Sequence, residues 1–160
     1  MKVLKALNSD LQEFLQETGY LPVNVEPVDL GQRRRIPIIS WVTAGQWQAV
    51  CDNFQPGDAD DWIDTEIKGA CVFALKIKGD SMEPEFQEGE IIIVNPHVEA
   101  LPGDFVIVKN DEEEATFKQL KRYGEMTILH PLNAKYADIE IKKGQRYHII
   151  GKVVEKKKRY

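Results

Sequence analysis

A mainly β domain preceded by a short helical segment is the fold class expected for this chain, and three observations point to it. From Ile36 onward, short β-branched and aromatic runs are separated by Gly, Pro, Asn and Asp, which is the texture of an all-β domain. Before that point Val3, Leu4, Leu7, Leu11, Phe14 and Leu15 recur at helical spacing. The run Phe105-Val106-Ile107-Val108, then Asn110-Asp111, then Thr116-Phe117-Lys118 reads as a hairpin. With 160 residues, 42% of them hydrophobic, the chain is long enough for one compact domain with a core and a short appendage. The expected division is residues 1–35 as helical segment and linker, and residues 36–160 as the domain.

Taken in order, Met1 to about Tyr20 predicts one or two short helices, with Asn8, Ser9 or Asp10 as an internal cap and Gly19 closing the segment. Leu21 to Gly31, with Pro22 and Pro27, reads as extended linker. Candidate strands are Val72 to Ile77, Glu90 to Val94, Asp104 to Lys109, Ala115 to Lys121, Met126 to His130, Ile139 to Ile141 and Tyr147 to Glu155. Glu88-Gly89, Pro102-Gly103, Asn110-Asp111 and Tyr123-Gly124 mark turns between them. The acidic stretch Asp58, Asp60, Asp61, Asp64 and Glu66, and Glu112-Glu113-Glu114 at the hairpin tip, read as solvated loops, since neither has the ordered oxygen spacing calcium needs.

Composition excludes several function classes. A net charge of -5 argues against nucleic-acid binding through the overall field, so any DNA contact must be local or made elsewhere. Arg33-Arg34-Arg35 and Lys156-Lys157-Lys158-Arg159 read as a solvated hinge and tail. Cys51 and Cys71 lack the paired spacing of a zinc site, and Cys71, just before Val72-Phe73-Ala74-Leu75, reads as a small buried hydrophobe; no metal or cofactor is expected. No apolar stretch approaches the roughly 20 residues of a membrane helix and no signal-type core follows the N-terminus, so a soluble cytoplasmic protein is expected.

The chemistry-bearing residues are Ser81, in Lys78-Gly79-Asp80-Ser81-Met82-Glu83-Pro84, and Lys118, in Ala115-Thr116-Phe117-Lys118-Gln119-Leu120. A serine hydroxyl is a poor nucleophile until a base takes its proton, and lysine serves only when neutral. At the ordinary pKa of about 10.4, well under 1% of a lysine is neutral at pH 7, so burial must lower it. Phe117 and Leu120 supply an apolar sequence context, and strand alternation puts Thr116, Lys118 and Leu120 on one face. Gly79 allows a tight turn, in which the backbone N–H groups of Asp80 and Ser81 are placed to hold an oxyanion. Gly-Asp-Ser also makes ordinary turns, and Ala44-Gly45 is by itself an ordinary linker dipeptide.

Together these residues resemble the self-cleaving repressor family that includes LexA and the lambdoid phage repressors, along with the UmuD-type accessory subunits of mutagenic polymerases. The resemblance runs from about Ile36 to Val154. It rests on Ile36-Pro37, Ala44-Gly45, Gly79-Asp80-Ser81-Met82-Glu83-Pro84, Glu88-Gly89-Glu90, Gly103-Asp104 and Thr116-Phe117-Lys118, with Ser81 and Lys118 separated by 37 positions. It implies a LexA-type C-terminal peptidase fold of small, highly curved antiparallel sheets. It also implies Ser81 as nucleophile, Lys118 as general base and Ala44-Gly45 as the bond cut, with Val42 and Ala44 recognised before it. Trp41 and Trp47 flank that bond and are placed to anchor the loop.

The same resemblance implies a homodimer, to which the strand around Tyr147 to Val154 is a plausible contributor, and stimulation by the RecA–single-stranded DNA filament formed after DNA damage. The residues before Ile36 are too few for the helix-turn-helix domain of such repressors, so operator binding would need an N-terminal domain that is absent here. Three functions follow: the regulatory, self-cleaving part of a prophage or stress-response repressor; a UmuD-like polymerase subunit; or a non-catalytic dimerisation module. Intact Ser81, Lys118 and Ala44-Gly45 count against the last.

Overall fold

The computed structural model describes residues 33–158, so the helices and linker expected before Ile36 lie outside the described residues. Nine strands form one sheet: β1 Arg34–Ile39, β2 Asp61–Thr65, β3 Phe73–Lys76, β4 Ile91–Asn95, β5 Phe105–Lys109, β6 Ala115–Tyr123, β7 Met126–His130, β8 Ile139–Ile141 and β9 His148–Lys157. Their order is β2-β1-β3-β4-β9-β5-β6-β7-β8. Every neighbouring pair is antiparallel except β1 and β3, which run parallel through Ile38 opposite Ala74 and Ile39 opposite Leu75. The mainly β expectation therefore holds, with the strands joined into a single mixed sheet.

The long strand β9 is the seam, because its second half pairs with β4 and its first half with β5. Register shifts at Ile93/Val94 and Ile107/Val108 interrupt the two ladders beside it. Bulges of this kind bend a strand and increase its twist. Alternating side chains bury both faces of the sheet. Phe73, Leu75, Ile92, Val94, Ile107 and Phe117 enter the largest apolar cluster with Met82 and Phe86, whereas Ala74, Ile91 and Ile93 enter a second with Ile36 and Ile38. Val106, Val108, Leu120 and Leu129 make a third.

Seven strands occur where the sequence pattern puts them, two of them, β7 and β8, with the expected ends. Two departures concern the segment before β3. Asp61–Thr65, expected as part of a solvated acidic loop, is the edge strand β2, laid antiparallel on β1, with Arg35 Nε 3.6 Å from Asp64 Oδ1. Its burial pattern shows why: Asp61 and Asp64 are exposed while Thr65 is buried, so the acids sit at the exposed positions of an edge strand. Cys71, expected as a free buried hydrophobe, is half-buried and joined to Cys51 by a disulfide, with Cα atoms 5.7 Å apart. A separation of 20 residues hid the pair, since spacing alone does not show which side chains the fold apposes.

Two short helices, α1 Trp41–Gly45 and α2 Trp47–Val50, connect β1 to the rest. Ser40 caps α1: its Oγ accepts the Thr43 N–H at 3.1 Å. Helices this short are marginal alone and persist through tertiary contacts. Here those contacts are Trp41, whose Nε1 donates to the Lys76 carbonyl at 2.9 Å, and Trp47, buried against Phe54 and Phe73 with Nε1 donating to the Cys71 carbonyl at 2.7 Å. The expected anchoring role of the two tryptophans is thus visible.

Candidate active site

The Ser81 turn begins just after β3. Gly79 has φ +76°, in the left-handed region glycine enters without a Cβ penalty, and its N–H donates to Glu88 Oε1 at 3.2 Å. Just past Ser81 the chain is pinned to the core by Met82 and Phe86, both buried, with Phe86 in edge contact with Phe105 and Phe117. The hydroxyl between Gly79 and Met82 is therefore held at the rim of the main apolar cluster. It faces a cavity of about 250 Å³ lined by Trp41, Ile77, Lys78, Gly79, Met82 and the start of β6.

Lys118 lies in mid-β6, opposite Val106 of β5, so its backbone is fixed by a ladder rather than a loop. Its Nζ lies 3.4 Å from Ser81 Oγ, 3.1 Å from Thr116 Oγ1 and 2.9 Å from the Phe117 carbonyl oxygen. The residue is only 8% exposed and no carboxylate is paired with it among the described residues. Burial disfavours its ammonium form and lowers its pKa below the ordinary lysine value. A neutral amine has two N–H donors and one lone pair. The Phe117 carbonyl and the Thr116 hydroxyl are placed to take the two donors, which leaves the lone pair for the Ser81 proton.

The N–H groups of Asp80 and Ser81 find no acceptor among the described residues. The sequence did not single out the loop after β7 that holds this turn from behind. Asn133 Nδ2 donates to the Asp80 carbonyl at 2.9 Å, and the Asn133 N–H donates to the Ser81 carbonyl at 3.0 Å. The Tyr136 hydroxyl bonds Asp80 Oδ1, and that carboxylate raises the phenol's pKa. Asn133 follows Pro131-Leu132 at a strand end, a common turn setting, and nothing in its local sequence couples it to Asp80.

Ala44 and Gly45 occupy the end of α1, in helical rather than extended backbone, and both are buried. Trp41, one turn earlier, lines the same cavity as Ser81, so the segment starts at the rim of the candidate site. The bond itself is tucked under the tip of the β5–β6 hairpin. Lys109 Nζ donates to the Gly45 carbonyl at 3.2 Å, and a Cβ on Gly45 would lie 1.9 Å from the Glu113 carbonyl oxygen. Val42 points outward and is 75% exposed.

Residues 37–154 match the family model described as Peptidase S24-like. The chain belongs to the S24-like peptidase family. That span contains Ser81, Lys118 and the Ala44-Gly45 bond. Among relatives, the S24-like chain is 36% identical over 151 residues to the HTH-type transcriptional regulator for conjugative element R391 of Providencia rettgeri, covering 88% of this chain and 70% of the relative. It is 39% identical over 131 residues to Repressor protein C2 of Salmonella phage P22, covering 78% and 60%. It is 33% identical over 150 residues to the LexA repressor of Geobacter sp. strain M21, covering 89% and 73%. Among the described residues of this S24-like chain, no helix is long and apolar enough to cross a membrane.

Proposed function

We propose that this chain is the regulatory, self-cleaving part of a repressor, cutting its own Ala44-Gly45 bond with Ser81 as nucleophile and Lys118 as general base. The observation that carries the proposal is the buried Lys118 amine 3.4 Å from the Ser81 hydroxyl, with no carboxylate paired to it among the described residues. The neutral amine takes the Ser81 proton as Oγ attacks the Ala44 carbonyl carbon. The N–H groups of Asp80 and Ser81 receive the oxyanion, and the Gly45 nitrogen leaves with the proton returned from Lys118. A water, deprotonated by the same amine, then hydrolyses the Ser81 ester to release the Ala44 carboxylate.

The structure with α1 folded is the resting state in this proposal. Helical backbone does not offer Ala44 to Ser81, so the segment must leave the hairpin tip, unwind and enter the cavity with Val42 and Ala44 leading. The five-residue helix itself opposes this weakly, and the contacts of Gly45 and Trp41 supply the restraint. Tethering gives the docked segment a high effective concentration, so a small shift of the docking equilibrium controls the rate. A partner preferring the docked form a hundredfold shifts that balance by about 2.7 kcal/mol. The RecA–single-stranded DNA filament is the proposed partner, with DNA damage as its signal and a homodimer as the assembled form. Relatives named as regulators and repressors support this role over that of a polymerase subunit, and operator binding is assigned to a helix-turn-helix domain elsewhere in the full repressor.

The test is incubation at alkaline pH without partner, followed by intact-mass measurement. Two fragments divided between Ala44 and Gly45 are expected, and Ser81→Ala and Lys118→Ala should each abolish them. Unchanged cleavage in either variant removes that residue from the mechanism.

A further inference from the structure

We propose that Asn133 is a positioning residue for this reaction, holding the Asp80-Ser81 peptide so that its N–H faces the cavity. This inference rests on the peptidase assignment above. Asn133 engages both carbonyls of the turn, with Nδ2 on Asp80 at 2.9 Å and the main-chain N–H on Ser81 at 3.0 Å, across a sequence separation of 53 residues for the first. A trans peptide is planar with C=O and N–H opposed. Pinning the Asp80 carbonyl toward Asn133 therefore turns the Ser81 N–H away from it, and pinning the Ser81 carbonyl does the same to the Met82 N–H. Neither N–H meets an acceptor among the described residues.

The local turn does not achieve this alone. Its one internal bond to the Asp80 carbonyl comes from the Glu83 N–H at 3.1 Å, and Asn133 supplies the second donor to that oxygen. Asn133 is itself rigidly held: its Oδ1 accepts the Lys135 N–H at 3.0 Å and its carbonyl accepts the Tyr136 N–H at 3.1 Å. The Tyr136 hydroxyl then ties the Asp80 carboxylate from the same loop. Residues 133–136 thus grip the nucleophile turn through Asp80 and Ser81, whereas the hydrogen bonds of Lys118 among the described residues go to Ser81, Thr116 and Phe117. Donors that need no reorganisation as charge develops are where a positioning residue has most effect on rate.

Asn133→Asp is the discriminating variant. It keeps the oxygen that accepts from Lys135 and the main-chain N–H, and exchanges the donor to the Asp80 carbonyl for a carboxylate oxygen; because that adds a charge, the uncharged Asn133→Ala is made beside it to read the pH midpoint. Self-cleavage is followed against pH in the full chain, together with labelling of Ser81 by a phosphonofluoridate, which requires no docking of residues 41–46. The expected result is a cleavage plateau lowered about ten- to a hundredfold with labelling slowed in parallel in both variants, and an unmoved pH midpoint in Asn133→Ala, which adds no charge beside Lys118. An unchanged plateau overturns the inference. So does a midpoint displaced toward that of exposed lysine in Asn133→Ala, which would mean a loosened pocket, or slowed cleavage with normal labelling, which would place Asn133 in docking. Asn133→Ala is the companion if the first variant does not fold; failure of both to fold makes the role structural and ends the claim. A wild-type chain that never cleaves defeats the peptidase assignment and this inference together, whereas a cleaving wild type beside an equally fast Asn133→Asp defeats this inference alone.

Discussion

Lys118 Nζ is closer to the Phe117 carbonyl, at 2.9 Å, and to Thr116 Oγ1, at 3.1 Å, than to Ser81 Oγ, at 3.4 Å. The two shorter contacts aim the amine, and the longer one is where the chemistry would occur. In the proposed reaction the base is thereby oriented by its own strand.

Thr116→Val keeps the size and strand preference of the side chain and removes one acceptor for the amine. One hydrogen bond of this kind contributes about 1 kcal/mol, so self-cleavage should slow roughly five- to tenfold with both fragments unchanged. Time courses at a fixed alkaline pH check this, and an undiminished rate would show that the Phe117 carbonyl suffices to aim the amine.

Because burial lowers the Lys118 pKa, the rate of cleavage should climb about tenfold per pH unit on the acid side and level off at a midpoint below 10.5. A rate independent of pH between neutral and strongly basic solution contradicts a lysine base.

The same shift links stability to pH. The folded chain releases the Lys118 proton at lower pH than the unfolded chain, so between the two pKa values the unfolded state binds more protons and stability rises with pH; below that window the penalty of burying the ammonium is fully present. In a Ser81→Ala background, Lys118→Met should therefore be stabilising at neutral pH, with the advantage shrinking as pH enters the lysine range. Denaturant melts at several pH values measure the difference, and an advantage that grew with pH would reverse the sign of the argument.

Gly45→Ala places a Cβ against the Glu113 carbonyl, 1.9 Å away before relaxation, so α1 can no longer seat under the hairpin tip as it does now. Overpacking of this kind costs about 1–3 kcal/mol. In the Ser81→Ala background we expect faster nicking of residues 41–46 by an added protease, with the β-sheet amides keeping their hydrogen-exchange protection. Unchanged nicking would mean the segment shifts at little cost.

Much of this was legible from composition and order. β7 and β8 announced themselves because they are bounded by turn residues, and β6 because a hairpin needs a return strand. β2 was not legible: an edge strand carries exposed acids like a loop, and only the pairing of Asp61 with Ile38 and of Thr65 with Arg34 distinguishes them. Nor was the Cys51–Cys71 bond, which depends on where the fold brings two distant Cα atoms. Residue type singled out Ser81 and Lys118 as a possible nucleophile and base, and the resemblance to the self-cleaving repressors added their roles and the Ala44-Gly45 bond, which by themselves the letters leave as an ordinary turn and linker.

What required three dimensions was everything that depends on proximity between distant segments. Residue letters do not say that the amine at 118 is shielded from water, that Asn133 reaches back to the turn at 80–81, or that the Ala44-Gly45 bond is coiled and covered by Glu113. Desolvation and backbone orientation are properties of packed neighbours, and those neighbours are chosen by the sheet order, in which β9 joins β4 to β5.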